Sequence, residues 1–186
     1  IVHLSPANHF PTGIVMPITR RLELFEWANR KPGRYIIEDD YDSEFRYNGK
    51  FILPLYAEDT QNKVIYMNTF SKTLVPSLRI SYMVLPEKLM EEYKKAQSFY
   101  SCTVSSFEQH TLARFISQGY FERHLNRMKK YYREQRALIL QTIKDSPLAK
   151  MSRVIERNAG THFLLELQTE LTEKQVREAA RQENLC

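Results

Sequence analysis

Six side chains of this 186-residue sequence have the types and spacing to act on one ligand: Asp39, Tyr41, Thr69, Ser71, Lys72 and Arg79. A lysine amine forms imines when a dry pocket and a cationic neighbour depress its pKa, and Lys72 is the candidate for that role. A carboxylate beside a pyridine nitrogen keeps the nitrogen protonated, so that the ring withdraws electrons from an adjacent carbanion. Asp39 suits that task, and a phenol such as Tyr41 can hydrogen-bond a ring oxygen. The hydroxyls of Thr69 and Ser71, with the guanidinium fork of Arg79, have the chemistry to grip a phosphate dianion. Singly, each has a plainer reading: an exposed Ser-Lys loop pair, an Asp39-Asp40 cap on a turn, an Arg79 in a structural ion pair.

The elements around them decide whether they can meet. Asp39 and Tyr41 follow the short apolar run Tyr35-Ile36-Ile37, and Thr69, Ser71 and Lys72 follow Val64-Ile65-Tyr66-Met67. Both runs read as buried strands, and a third apolar run covers 78–85, beginning just before Arg79. In open α/β sheets ligands bind beyond the carboxyl ends of the strands, so the six side chains are expected in one crevice. Ile1-Val2-His3-Leu4 reads as another strand, Ser5 to Gly13 as a turn-rich loop, and Pro17 to about Asn29 as a helix. Leu22, Leu24, Phe25 and Ala28 are its expected buried side. Helices are expected at about 87–100, 105–117 and 121–143, strands at 151–156 and 162–167, and an amphipathic helix over 172–186 that stops without a terminating signal. Strand–helix–strand order predicts a mostly parallel sheet with covering helices, and the later order a second, smaller α+β unit. Residue 1 is Ile rather than Met, and both ends read as cut from a longer protein.

Composition excludes several classes. The apolar fraction is ordinary, and no window approaches the ~20 apolar residues that cross a bilayer. Cys102 and Cys186 are the only cysteines, far apart and without metal-ligand spacing, which favours a reducing, cytoplasmic setting. The net charge of +5 is concentrated in 123–136, where Leu125, Met128, Tyr132 and Leu138 recur at helical spacing. That is an amphipathic helix with a solvated basic face, and the chain carries no helix-turn-helix or zinc-finger signature of its own.

Two long segments carry a resemblance. Ile36-Ile37-Glu38-Asp39-Asp40-Tyr41-Asp42-Ser43-Glu44-Phe45-Arg46-Tyr47 resembles a segment of the MocR/GabR-type regulators of the GntR family. Residues 68–82, Asn68-Thr69-Phe70-Ser71-Lys72-Thr73-Leu74 onward, are similar to their lysine segment. Phe10-Pro11-Thr12-Gly13 and Ala159-Gly160-Thr161-His162-Phe163 are similar to two further landmarks. The resemblance implies the α/β fold type I of pyridoxal-phosphate (PLP) dependent transferases, aminotransferase-like. Residues 1–120 would be part of the large PLP-binding domain, and 121–186 a bridging helix and the start of a small C-terminal domain. It further implies PLP held on Lys72 as an internal aldimine, Asp39 at the pyridine nitrogen, Tyr41 at the ring oxygen, and phosphate contacts from Thr69, Ser71 and Arg79. An amino compound would be effector or substrate, and DNA would be met through an N-terminal winged-helix domain outside this chain. A homodimer is implied for the full-length protein.

The sequence also departs from that pattern. Asn8-His9 stands where the family has His-Gln, Phe10 stands where ordinary aminotransferases have Asn, and Phe51-Ile52-Leu53-Pro54-Leu55-Tyr56 differs from the usual loop. The ring-stacking aromatic, a phosphate-binding turn and a carboxylate-gripping Arg are expected beyond these residues. Besides a regulator's effector domain, the same fold and lysine serve free-standing aminotransferases, and a fold remnant without a ligand is the third reading.

Overall fold

The computed structural model describes residues 1–47, 52–155 and 160–185. Four strands form its main sheet in sequence order: β1 Val2–Leu4, β2 Ile36–Asp39, β3 Val64–Thr69 and β4 Ser81–Val84. β1, β2 and β3 run parallel, with Val2 opposite Ile36 and Ile36 opposite Val64. The connections allow this, because helix α1 (Ile18–Asn29) lies between β1 and β2 and the short α2 (Leu55–Glu58) between β2 and β3. β4 runs antiparallel to β3, with Thr69 opposite Ser81. The segment between those two residues folds back as a tight loop, too short for a parallel crossover. Only the second half of the third apolar run is therefore strand, and its first half builds that loop.

Three helices follow: α3 Glu87–Gln97, α4 Ser106–Ser117 and the long α5 Tyr120–Asp145. Gly119, with φ 71°, takes the left-handed turn that separates α4 from α5. A second, antiparallel sheet pairs β5 (Ser152–Ile155) with β6 (Leu164–Leu167), and α6 (Glu173–Gln182) follows. Glu156, the expected end of β5, lies outside the described residues, as do Ala159 and Phe51 of the sequence landmarks and Cys186.

The apolar core is small: Ala28, Ile36, Leu55 and Val64, with Leu4, Leu24, Phe25 and Trp27 packed on it. Leu22, expected on the buried side of α1, is exposed, and Arg21 is buried in its place. The Arg21 guanidinium donates to the Leu53 carbonyl at 2.6 Å and pairs with Glu58 at 3.2 Å, so its buried charge has a partner. Leu138 is likewise exposed, while Leu125, Met128 and Tyr132 of α5 are half-buried. α6 does end on a signal. Asn184 adopts φ 58°, and the Leu185 and Asn184 amides return to the Ala180 and Arg181 carbonyls at 2.8 and 3.0 Å. Those two bonds form a Schellman motif with Asn in the position usually held by Gly.

Candidate functional site

Burial alternates along β2 and continues to alternate past its end: Ile36, Glu38, Asp40 and Asp42 are buried, while Ile37, Asp39 and Tyr41 are only partly covered. The partly covered series contains the two residues expected to meet a ligand. Asp39 ends β2 with a side chain 37% exposed, and His3 Nε2 of the neighbouring strand lies 3.6 Å from its Oδ2. The Tyr41 phenol donates to the Asn8 carbonyl at 3.0 Å. Partial burial, then the nearby Asp42 and Asp39 charges, push that phenol up to about 12.

The buried series has its own partners. Glu38 accepts from the Leu55 and Tyr56 amides at 2.8 and 2.9 Å, and its carboxyl lies above the usual range because burial outweighs those bonds. Asp40 accepts from the Tyr66 hydroxyl at 2.8 Å. Asp42 accepts from the Asn8 side-chain amide at 2.8 Å. Burial raises the Asp42 carboxyl to about 6, against the pull of the Asn8 bond and of the Lys72 charge.

The lysine lies in the loop between β3 and β4. The Phe70 amide bonds the Ile80 carbonyl at 2.9 Å and the Leu74 amide bonds the Phe70 carbonyl at 2.8 Å, closing a tight turn around Lys72. Thr73 is buried beneath it, whereas Lys72 is exposed. Thr69 Oγ accepts from the Ser71 amide at 3.2 Å, Ser71 Oγ donates to the Leu78 carbonyl at 2.9 Å, and Arg79 Nη1 donates to Ser71 Oγ at 3.4 Å. Thr69, Ser71 and Arg79 thus form one hydrogen-bonded group beside Lys72. Phe70 anchors that turn edge-to-face on Phe121 of α5, at 5.9 Å between centroids.

The structure therefore gathers the phosphate-type group and the lysine on one loop, and Asp39 with Tyr41 at the tip of β2. The link between the two clusters is Asp42, which senses the Lys72 charge. Two neighbours of the tip were not anticipated from sequence. His3 aligns with Ile37 across the β1–β2 register and so shares the face of Asp39; the period-2 pattern holds that signal, but the pairing register does not appear in a single sequence. Asn8 is the other, in the loop that turns at the cis Phe10-Pro11 bond. The landmark at 160–163 closes on the same place. Gly160 donates to the Phe45 carbonyl at 2.8 Å, and His162 packs edge-to-face on Phe10 with centroids 5.3 Å apart.

The family model described as aminotransferase class I and II matches residues 1–185. Among curated relatives, the Bacillus subtilis (strain 168) protein YdeL, described as an uncharacterized HTH-type transcriptional regulator, is 43% identical over 97% of this chain and 39% of its own length. The Rhizobium meliloti protein MocR, described as a probable rhizopine catabolism regulatory protein, is 36% identical over 88% of this chain and 33% of its own length. The chain thus spans about 39% of the YdeL sequence. Among solved structures, the Pyrococcus horikoshii kynurenine aminotransferase in complex with PMP superposes with a TM-score of 0.83 at 29% identity, over the whole of this chain and 45% of that one. LysN, the α-aminoadipate aminotransferase of Thermus thermophilus complexed with N-(5'-phosphopyridoxyl)-L-leucine, gives 0.79 at 26% identity over 99% of this chain and 47% of that one.

Proposed function

The chain belongs to the aminotransferase class I and II family, and on that premise we propose that it is part of the PLP-binding effector domain of a MocR/GabR-type transcriptional regulator. The observation that carries the cofactor assignment is the Thr69–Ser71–Arg79 hydrogen-bonded group on the turn that bears Lys72. Two hydroxyls and a guanidinium fork have the donor chemistry of a phosphate grip, and an amine stands beside them. The residues present therefore fit PLP. PLP, when bound, supplies an electron sink for chemistry at an amino group.

The chain's own residues divide the remaining work. Lys72 supplies the amine that holds the cofactor covalently. Asp39 holds a proton on the pyridine nitrogen, and His3 Nε2 stands 3.6 Å from its carboxylate. Tyr41 donates its phenol hydrogen to the ring oxygen. Thr69, Ser71 and Arg79 orient the phosphate. Residues 1–120 are read as part of the large domain, and 121–186 as the bridging helix and the start of the small one. An amino compound is the effector, DNA is met through a winged-helix domain outside this chain, and the full-length protein acts as a homodimer in the cytoplasm. The similarity to YdeL and MocR supports the regulator reading.

The test is chemical. Borohydride reduction of the PLP-loaded full-length protein, followed by peptide mass analysis, is expected to place the adduct on Lys72, and the Lys72→Ala variant is expected to fold without the yellow colour. An adduct on Lys63 or Lys88 overturns the assignment. The structural likeness to aminotransferases favours a second reading, a free-standing enzyme acting on an amino acid. The sequence preceding Ile1 in the full-length protein separates the two: a winged helix there marks a regulator.

A further inference from the structure

Asn8 and Asp42 have no part in the cofactor chemistry above, yet they are 2% and 1% exposed. They close a ring with Tyr41. The phenol donates to the Asn8 carbonyl at 3.0 Å, the Asn8 side-chain amide donates to Asp42 Oδ2 at 2.8 Å, and Asp42 is joined to Tyr41 by the peptide bond. A third segment seals it. Gly160 lies so close that a Cβ there would overlap Asn8 Nδ2 and come within 2.8 Å of Asp42 Oδ2. The ring is thus held by three stretches of chain distant in sequence.

We propose that the buried Asn8–Asp42 pair is the positioning device for the Tyr41 phenol, setting where that oxygen stands at the tip of β2. A phenol C–O bond rotates its hydrogen without displacing the oxygen, so one hydroxyl can serve the Asn8 carbonyl or a ligand oxygen in turn. Fixing the oxygen beforehand spares the ordering cost when a ligand arrives. The neighbouring Asp39 and Lys72 then act on a ligand whose ring oxygen has a fixed partner. This rests on the PLP reading for its use, but the ring stands without it.

Two measurements test the pair, one with PLP and one without. In the PLP-loaded full-length protein, Tyr41→Phe is expected to move the pH midpoint of the bound cofactor's visible band by roughly tenfold in proton affinity. Asn8→Ala is expected to move it in the same direction by roughly threefold, and to add nothing in the Tyr41→Phe background, since the pair acts through the phenol. Full additivity, or an unmoved midpoint, overturns the proposal. If Asn8→Ala does not fold, Asp42→Ala and Asp42→Asn replace it. Both remove the charge, but only Asn keeps an acceptor for Asn8, so Asn is expected to stay nearer wild type and equality of the two refutes the pair. Without PLP, tyrosine labelled with ¹³C at Cζ reports Tyr41 directly, assigned through Tyr41→Phe. The wild-type phenol is expected to stay protonated at about pH 10.5, and Asn8→Ala to ionise roughly tenfold more readily. Failure of the wild type to take up PLP sinks the cofactor reading alone, whereas an unchanged Tyr41 resonance in Asn8→Ala sinks this one.

Discussion

Burial lifts the Asp42 carboxyl from 3.8 to about 6, so the folded chain binds this proton more tightly than the unfolded one does. A raised pKa contributes stability that is fully present below pH 3.8 and is lost as pH rises through 6. Two units correspond to at most ~3 kcal/mol, and the buried amide hydrogens of an Asn replacement offset part of it. Asp42→Asn, whose amide oxygen still accepts from Asn8, is therefore expected to stabilise the fold by about 1–2 kcal/mol at pH 7–8 and not at all at pH 4. Urea unfolding at both pH values checks it, and equal effects at both would show that the Asp42 charge is not what the fold resists. The neighbouring carboxylates illustrate why residue type alone did not assign roles. Glu38, Asp39, Asp40 and Asp42 are chemically alike, yet the fold leaves Asp39 partly exposed and buries the other three against structural partners.

Among elements, α2 depends on a side chain from another strand. Its N-cap is Pro54, which offers no side-chain bond, and the first two amides of the helix instead find the Glu38 carboxylate. A four-residue helix has little cooperativity of its own, so an anion at its N-terminus matters more than propensity. Glu38→Ala leaves the Leu55 and Tyr56 amides without an acceptor and is expected to cost roughly 1–3 kcal/mol. Glu38→Gln, which keeps one oxygen, should cost less; the two midpoints in urea give the comparison. Arg21 works on the same short stretch from the other side, binding the Leu53 carbonyl and Glu58. Residues 53–58 are thereby held by two buried ionic side chains, Glu38 and Arg21.

At the scale of the whole molecule, Phe45 ties segments distant in sequence together beside the candidate site. Phe45 lies fully buried against Tyr132 of α5, with ring centroids 5.2 Å apart, and its carbonyl receives the Gly160 amide. Gly160 has φ 72°, which an L side chain adopts at a cost of roughly 1–2 kcal/mol, and a Cβ would also strike the Asn8–Asp42 pair. Gly160→Ala is expected to destabilise the chain by at least about 2 kcal/mol. Gly33→Ala is the control, since no atom lies within 4 Å of its Cβ position, and it should be neutral or stabilising by about 0.5 kcal/mol. Thermal melts of the two variants decide whether the strain at Gly160 is specific.

The strands and the helices other than α2 were legible in the sequence, because each depends on local pattern, apolar runs with β-branched residues and amphipathic spacing, and the six candidate side chains were proposed from two long motifs read letter by letter. Membership in the aminotransferase family followed from the same letters. Leu22 and Leu138 misled because apolar periodicity reports which face is apolar, not whether anything covers it. Arg21 was missed because a buried guanidinium is admissible only if its acceptors converge, and the Leu53 carbonyl and Glu58 come from more than thirty residues away. For the same reason the antiparallel return of β4, the His3–Asp39 approach and the Asn8–Asp42–Gly160 closure belong to tertiary structure alone. Each is a pairing between distant segments, set by register and by space, and one chain read in order contains neither.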